Sequence, residues 1–197
     1  MRKEKLEELK SYIEELKMVK IQNSITEPKF IKIKRYDCLL NNDEIISREE
    51  IVKNNGNGSA VIILPVTKEN NTVLVVEPRV FTTETVGVGL PAGYIENLEN
   101  PIDSAKRELE EETGYVSNNL IELATFYQDE GCSRALNTSF LALDAEKIKE
   151  QKLDESEFVK YFECTFDEAL ELVNLGYIKG VNSILTLEKA KTYMKGR

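Results

Sequence analysis

Residues 60–66 read AVIILPV, seven in a row without a polar side chain. A strand sends successive side chains to opposite faces, so this run leaves neither face suited to water. It reads as a strand buried in the core. KENN at 68–71 is a turn, and TVLVVE at 72–77 is the returning strand. Further strands are expected at 85–90, 120–127, 138–143 and 158–163, with one helix at 101–113 among them. Thr165 followed by Glu168 is a capping box, and it opens a helix that stops before Gly176. A last helix is expected at 182–194, with Ile184, Leu187, Ala190 and Met194 on one face. Strands divided by a central helix and closed by terminal helices make the fold class α/β, a mixed sandwich.

The N-terminal part is of a different kind. Leu6, Leu9, Ile13 and Leu16 recur at spacings of three and four, so residues 3 to about 19 form a helix. That helix packs either on its own domain or on a partner subunit. A strand follows at 30–35, and the acidic stretch 41–52 makes a hairpin plus a strand. NNGNG at 54–58 is a turn and marks a boundary. The chain of 197 residues thus divides into an extension, 1–55, of one helix and a small β-rich part, and a domain, 56–197.

Histidine is absent. That removes Ser-His-Asp and Cys-His catalysis and every His-ligated metal site. Cys38, Cys132 and Cys164 lie far apart, so neither a Cys₄ zinc site nor a disulfide framework is indicated. Acid–base chemistry falls to carboxylates, Lys, Tyr, Cys or metal-bound water. The net charge of −9 disfavours nucleic acid or an anionic membrane as partner. An anionic small molecule remains open if a metal ion supplies positive charge locally. The charged start MRKEKLEELK does not fit a secretory signal, and no apolar run approaches a membrane span. A soluble cytoplasmic protein is expected.

The helix at 101–113 carries the chemistry. Asn100 is its N-cap, Pro101 its first residue, Asp103 a favourable charge in the first turn, and Gly114 its C-terminal stop. Projected at about 100° per residue, Ile102, Ala105 and Leu109 form the buried stripe. Glu108, Glu111 and Glu112 share a narrow face beside it. Like charges at these spacings cost a helix roughly 0.2–0.5 kcal/mol per pair. A solvated face mixes signs more readily. Three carboxylates at a core edge suit a hard cation, Mg²⁺ or Mn²⁺. Arg107 stands close enough to orient one of them by a bidentate contact.

Residues 93–115 resemble the Nudix box, whose pattern is GX5EX7REUXEEXGU with U a bulky apolar residue. Gly93, Glu99, Arg107-Glu108-Leu109, Glu111-Glu112 and Gly114 all match, and only Tyr115 is an aromatic where an aliphatic is usual. The resemblance implies a Nudix α/β/α sandwich and a Mg²⁺-dependent hydrolase of a nucleoside diphosphate linked to another group. It implies Glu108, Glu111, Glu112 and the Ala92 carbonyl as metal ligands. Glu99 and Arg107 are supporting or orienting residues of the catalytic centre, and Gly93 and Gly114 are backbone requirements of the motif.

Within the superfamily, the chain is similar to ADP-ribose and nucleoside-diphosphate-sugar pyrophosphatases. LPAG at 90–93 leads into the box as in that group, and Arg79 falls where the group has a substrate-contacting arginine. By the same resemblance the extension forms a homodimer whose two subunits line the active sites. The group's catalytic base is a glutamate on a loop after the box, which selects Glu157, with Glu155 second. Arg134 is a candidate phosphate contact, and Tyr94 and Tyr127 are candidates to stack on a base. Two positions depart from the group: Gly89 replaces the glutamate before LPAG, and Glu130 stands where a proline is usual. Hydrolysis of ADP-ribose or a related NDP-sugar is the reading these features imply. The alternatives are a dinucleotide, dinucleoside polyphosphate or damaged-nucleotide pyrophosphatase, and a non-catalytic nucleotide-sugar sensor.

Overall fold

The computed structural model describes residues 1–18, 30–53, 56, 58–155 and 157–195. Along the chain run α1 (Lys3–Leu16), β1 (Ile31–Leu39), β2 (Ile45–Lys53), β3 (Ala60–Thr67), β4 (Asn71–Pro78), β5 (Val86–Gly89), β6 (Ala92–Tyr94), α2 (Pro101–Thr113), β7 (Tyr115–Val116), β8 (Asn119–Tyr127), β9 (Leu136–Lys147), β10 (Lys160–Thr165), α3 (Phe166–Asn174) and α4 (Val181–Met194).

The apolar run 60–66 is the strand the rest is built around. Ile62, Leu64 and Val66 of β3 face one way, into a core closed by Leu9 of α1, Ala169 and Leu172 of α3, and Leu187 and Ala190 of α4. Val61 and Ile63 face the other way, beneath Ala105 and Leu109 of α2. One strand therefore serves two cores. Each such side chain, once buried, stabilises by about 1.5–3 kcal/mol. The result is the α/β/α sandwich. β10, β4, β3, β9 and β7 lie side by side in that order, with β5 on β4, β6 on β3 and β8 on β9. β3 and β9 run parallel, with Val61 opposite Thr138. The other pairings of this sheet are antiparallel.

Several expectations change in detail. α1 packs on its own sheet: Leu9 is fully buried, and Tyr12, Ile13 and Leu16 lie against the same core. Of the two readings of this helix, packing on its own domain is the one these contacts show. Stretch 41–52 supplies only a turn and β2, whose partner is β1; together they form a separate two-stranded sheet. Val19, the expected helix end, and Asn54, Asn55 and Asn57 of the boundary turn lie outside the described residues. The buried stripe of α2 is also displaced. Ile102 is 40% exposed, while Ser104, Ala105, Leu109, Glu112 and Thr113 are buried. The helix meets the sheet through its middle and last turns, so the face turned inward includes an acid and leaves Ile102 in solvent. Among the described residues, no helix is long and apolar enough to cross a membrane.

Glu168 ties the N-terminal segment to the start of α3. It completes the capping box with Thr165 at the start of α3. It also accepts hydrogen bonds from Arg2 N at 2.7 Å, Arg2 Nε at 2.9 Å and Arg2 Nη2 at 2.8 Å. The Arg2 guanidinium, aided by backbone N–H groups, pulls its pKa down to about 2 from an ordinary 4.5. A carboxyl with a depressed folded-state pKa stabilises above its unfolded value and loses that contribution as pH falls toward its folded value. The Tm advantage of the wild type over Glu168→Gln is therefore expected to shrink between about pH 5 and pH 2. Calorimetry across that range checks it; a constant difference would remove the linkage.

Candidate active site

The site forms where β6 and β4 meet α2. Asn100 caps α2 by accepting from Asp103 N at 3.0 Å, and Gly114 ends it in the left-handed conformation, φ 74°. Bonds from Ile63 N to the Pro91 carbonyl and from Ile95 N to the Ser59 carbonyl alternate along the β3–β6 pair. Ala92 falls between them, so its own N–H and C=O turn away from β3. The N–H meets Glu112 Oε2 at 3.0 Å. The carbonyl is presented to the same side.

Arg107 holds the box together. Its Nε and Nη2 grip Glu99 at 3.0 and 2.9 Å, and its Nη1 reaches Glu108 at 2.7 Å and Glu111 at 3.1 Å. Nη2 also donates to the Tyr94 carbonyl at 3.1 Å and Ser104 Oγ at 3.3 Å. Its donors are thus engaged within the chain, chiefly by Glu99, Glu108 and Glu111. Glu99 in turn accepts from Glu96 N at 3.1 Å and fixes the loop before the helix. Gly93 faces Glu108 so closely that an added Cβ would lie 1.9 Å from its carboxyl carbon.

Glu112 is 6% exposed, and among the described residues its carboxylate pairs with the Ala92 amide rather than with a cation. Burial first, then the charge of Glu77, raises its pKa well above the ordinary value, with Glu108 and Glu157 adding to the effect. Burial likewise raises Glu108, against the pull of Arg107. Glu77 was not singled out from the sequence. The signal was available: Val73, Val75 and Glu77 alternate onto one face of β4, and Val73 packs in the core beneath α2. Burial raises Glu77 as well, and the Arg79 guanidinium opposes it.

The other sequence candidates divide. Glu157 is exposed, but its charge reaches Glu77, Glu108 and Glu112. Its carboxylate accepts from Asp154 N at 3.1 Å, which shapes its loop. Glu155 is exposed on the same loop. Arg79 pairs with Glu77, and its charge reaches Tyr94. Arg134 is instead engaged by Glu50 of β2 and lies 5.9 Å from the Tyr36 ring centroid. Tyr94 packs on Phe30 with ring centroids 5.6 Å apart, while Tyr127 is 54% exposed.

The acids fit a hard cation by their chemistry. They are oxygen donors, mutually repelling, partly buried and short of positive charge, and a divalent ion would relieve that imbalance. As the side chains stand, no three acids among the described residues are gathered to hold an ion at once. Glu108 is turned to Arg107 and Glu112 to the Ala92 amide.

Comparison with known proteins bears on the family and the fold. The NUDIX domain family matches residues 56–182. An ADP-ribose pyrophosphatase of Bacillus subtilis is 41% identical over 128 residues, 64% of this chain and 67% of the relative. A methanol dehydrogenase activator of Bacillus methanolicus is 33% identical over 159 residues, 80% and 83% of the two chains. A GDP-mannose pyrophosphatase of Yersinia pestis is 28% identical over 188 residues, 90% and 93%. In fold, the chain matches a crystal structure of an ADP compounds hydrolase with a TM-score of 0.73 over 88% of this chain and 91% of that one, at 21% identity.

Proposed function

The chain belongs to the Nudix family as a pyrophosphohydrolase, and from that premise we propose that it is a Mg²⁺-dependent hydrolase of ADP-ribose or a related NDP-sugar. The products are a nucleoside monophosphate and a sugar phosphate. The observation that carries this reading is the buried Glu112 beside Glu108 and Ala92, an acidic cluster in a chain whose net charge is already −9. A pyrophosphate approaching such a cluster is repelled unless a cation offsets the charge.

Glu108, Glu111, Glu112 and the Ala92 carbonyl are the groups that would hold Mg²⁺, with Mn²⁺ as a substitute. A bound divalent ion supplies charge neutralisation and an activated water. The chain's own residues do the rest. Glu157, set on a loop whose charge reaches the ligand acids, takes the proton of the attacking water. Arg79 binds a substrate phosphate oxygen. Arg107, with Glu99, keeps the loop and helix of the box in register. Arg134 sits on the hairpin side of the molecule, and a phosphate there would have to compete with Glu50.

The direct test is phosphate release, with coupled phosphatase, from ADP-ribose, UDP- and GDP-sugars, a dinucleoside polyphosphate and NADH, each with and without Mg²⁺ or Mn²⁺. Metal-dependent turnover of an NDP-sugar is expected, and preference for a dinucleotide would move the substrate class. In the same assay Glu157→Gln is expected to lower kcat by about 10²-fold with little change in substrate binding. An unchanged kcat would transfer the base to Glu155 or elsewhere.

Two broader proposals accompany this one. The protein is cytoplasmic, and it is a homodimer through the β1–β2 sheet. Support for the dimer comes from Ile33 (68% exposed), Leu39 and Ile45 (both 69%) on that sheet. A light-scattering mass of one chain would remove the dimer.

A further inference from the structure

The turn of the β4–β5 hairpin fixes the Arg79 backbone. Arg79 N donates to the Thr85 carbonyl at 2.8 Å, and the Arg79 carbonyl accepts from Thr82 N and Thr82 Oγ1, both at 2.8 Å. Thr85 sits at φ 60°, an uncommon conformation for a β-branched residue and a mark of a constrained turn. The Arg79 side chain then lies across Gly87. A Cβ at Gly87 would fall 2.6 Å from Arg79 Cγ and 3.6 Å from its Nε.

Gly87 has no backbone reason to be glycine. Its φ is not in the left-handed range. It stands in a strand between Val86 and Val88, both buried, where a side chain is normally favoured. What a side chain there would disturb is Arg79. At the far end the guanidinium is caught by Glu77, whose side chain is 22% exposed and which lies between Arg79 and Glu112 in charge contact. Arg79 is half exposed and would otherwise sample many rotamers.

We propose that Glu77 and Gly87 are positioning residues that aim the Arg79 guanidinium at a substrate phosphate. Gly87 provides the floor and Glu77 the stop. Holding a long cation in place before binding lowers the entropy lost when the phosphate arrives. This rests on the reading of Arg79 as a substrate contact.

The test is a double-mutant cycle on the full chain. Gly87→Ala and Glu77→Gln are each made alone and in an Arg79→Ala background. The Kd for ADP with Mg²⁺ is measured by calorimetry, and KM and kcat for ADP-ribose are measured where turnover exists. Each single variant is expected to weaken ADP binding and raise KM about tenfold, with kcat moving far less. In the Arg79→Ala background the same changes are expected to have no effect. Equal effects with and without Arg79, a wild type that binds no ADP, or a loss in Glu77→Gln confined to kcat and Mg²⁺ affinity would overturn the proposal. The last result would make Glu77 a cation ligand. If Gly87→Ala unfolds, Glu77→Gln still decides. Coupled binding effects without hydrolysis of any substrate would leave the positioning standing and sink the proposed function. Hydrolysis with uncoupled effects would do the reverse.

Discussion

Glu112→Gln is expected to reduce turnover by at least about 10²–10³-fold while leaving the fold at least as stable as the wild type. The two halves of that expectation have one cause. Glu112 is buried within reach of the charges of Glu77, Glu108 and Glu157, and it accepts a hydrogen bond from a neutral amide, Ala92 N. Glutamine has nearly the same shape, and its carbonyl oxygen can accept that bond. What disappears is a buried acid that the metal-free protein ionises only at a cost. Calorimetry without metal should give a Tm equal to or above that of the wild type. Adding Mg²⁺ should raise the wild-type Tm, because a ligand that binds only the folded state stabilises it, and raise the variant's less. A variant with wild-type turnover, or one inactive only because it unfolds, would sink the assignment of Glu112.

Gly93→Ala and Gly114→Ala should fail in opposite ways. The Gly93 methyl would lie 2.0 and 2.2 Å from the Glu108 carboxylate oxygens, the far end of a flexible side chain. The carboxylate can swing aside at little cost to the fold, but it leaves Arg107 and the neighbourhood of Glu112 when it does. Turnover is expected to fall about 10²-fold and Tm to move by no more than a few degrees. At Gly114 the backbone is left-handed, φ 74°, and a methyl would meet the Lys149 carbonyl oxygen at 2.1 Å. That oxygen is main chain and cannot swing. A stability loss of about 3 kcal/mol, or roughly 10 °C in Tm, is expected. What remains folded should keep near-normal kcat. Tm and kcat measured on both variants separate the two roles. Equal Tm losses would mean that Gly93 is a folding residue too.

The contrast also shows how much of the molecule was legible in the sequence. The caps at Asn100, Gly114 and Thr165 are local events, each readable within a few residues, and each is present. The apolar run of β3 could be read as doubly buried because no position offered water a face. The three-residue β6 and two-residue β7 could not be read, because so few residues carry no period. They become strands by pairing with residues 60–62 and 146–147, distant in the chain. Ile102 shows the limit of a helical projection, which says which residues share a side but not which side the sheet covers. Of the acids, Glu108, Glu111 and Glu112 were apparent from their spacing. Glu77 was not, because it closes a strand on another segment and joins them only in space. Arg134 illustrates the same gap: its partner Glu50 is 84 residues away.

The parallel pairing of β3 with β9 has a consequence for how the chain is made. Val61 must wait for Thr138, and the first core is not complete until α3 and α4 have followed. At about 5–20 residues per second, synthesis leaves β3 without this neighbour for roughly 4–15 s. During that interval AVIILPV is an uncharged apolar segment with one uncovered edge, and Pro65, which has no N–H to donate, limits how far another chain can extend a ladder along it. The strand that supplies both cores of the finished enzyme is thus left half-covered until most of the chain has been made.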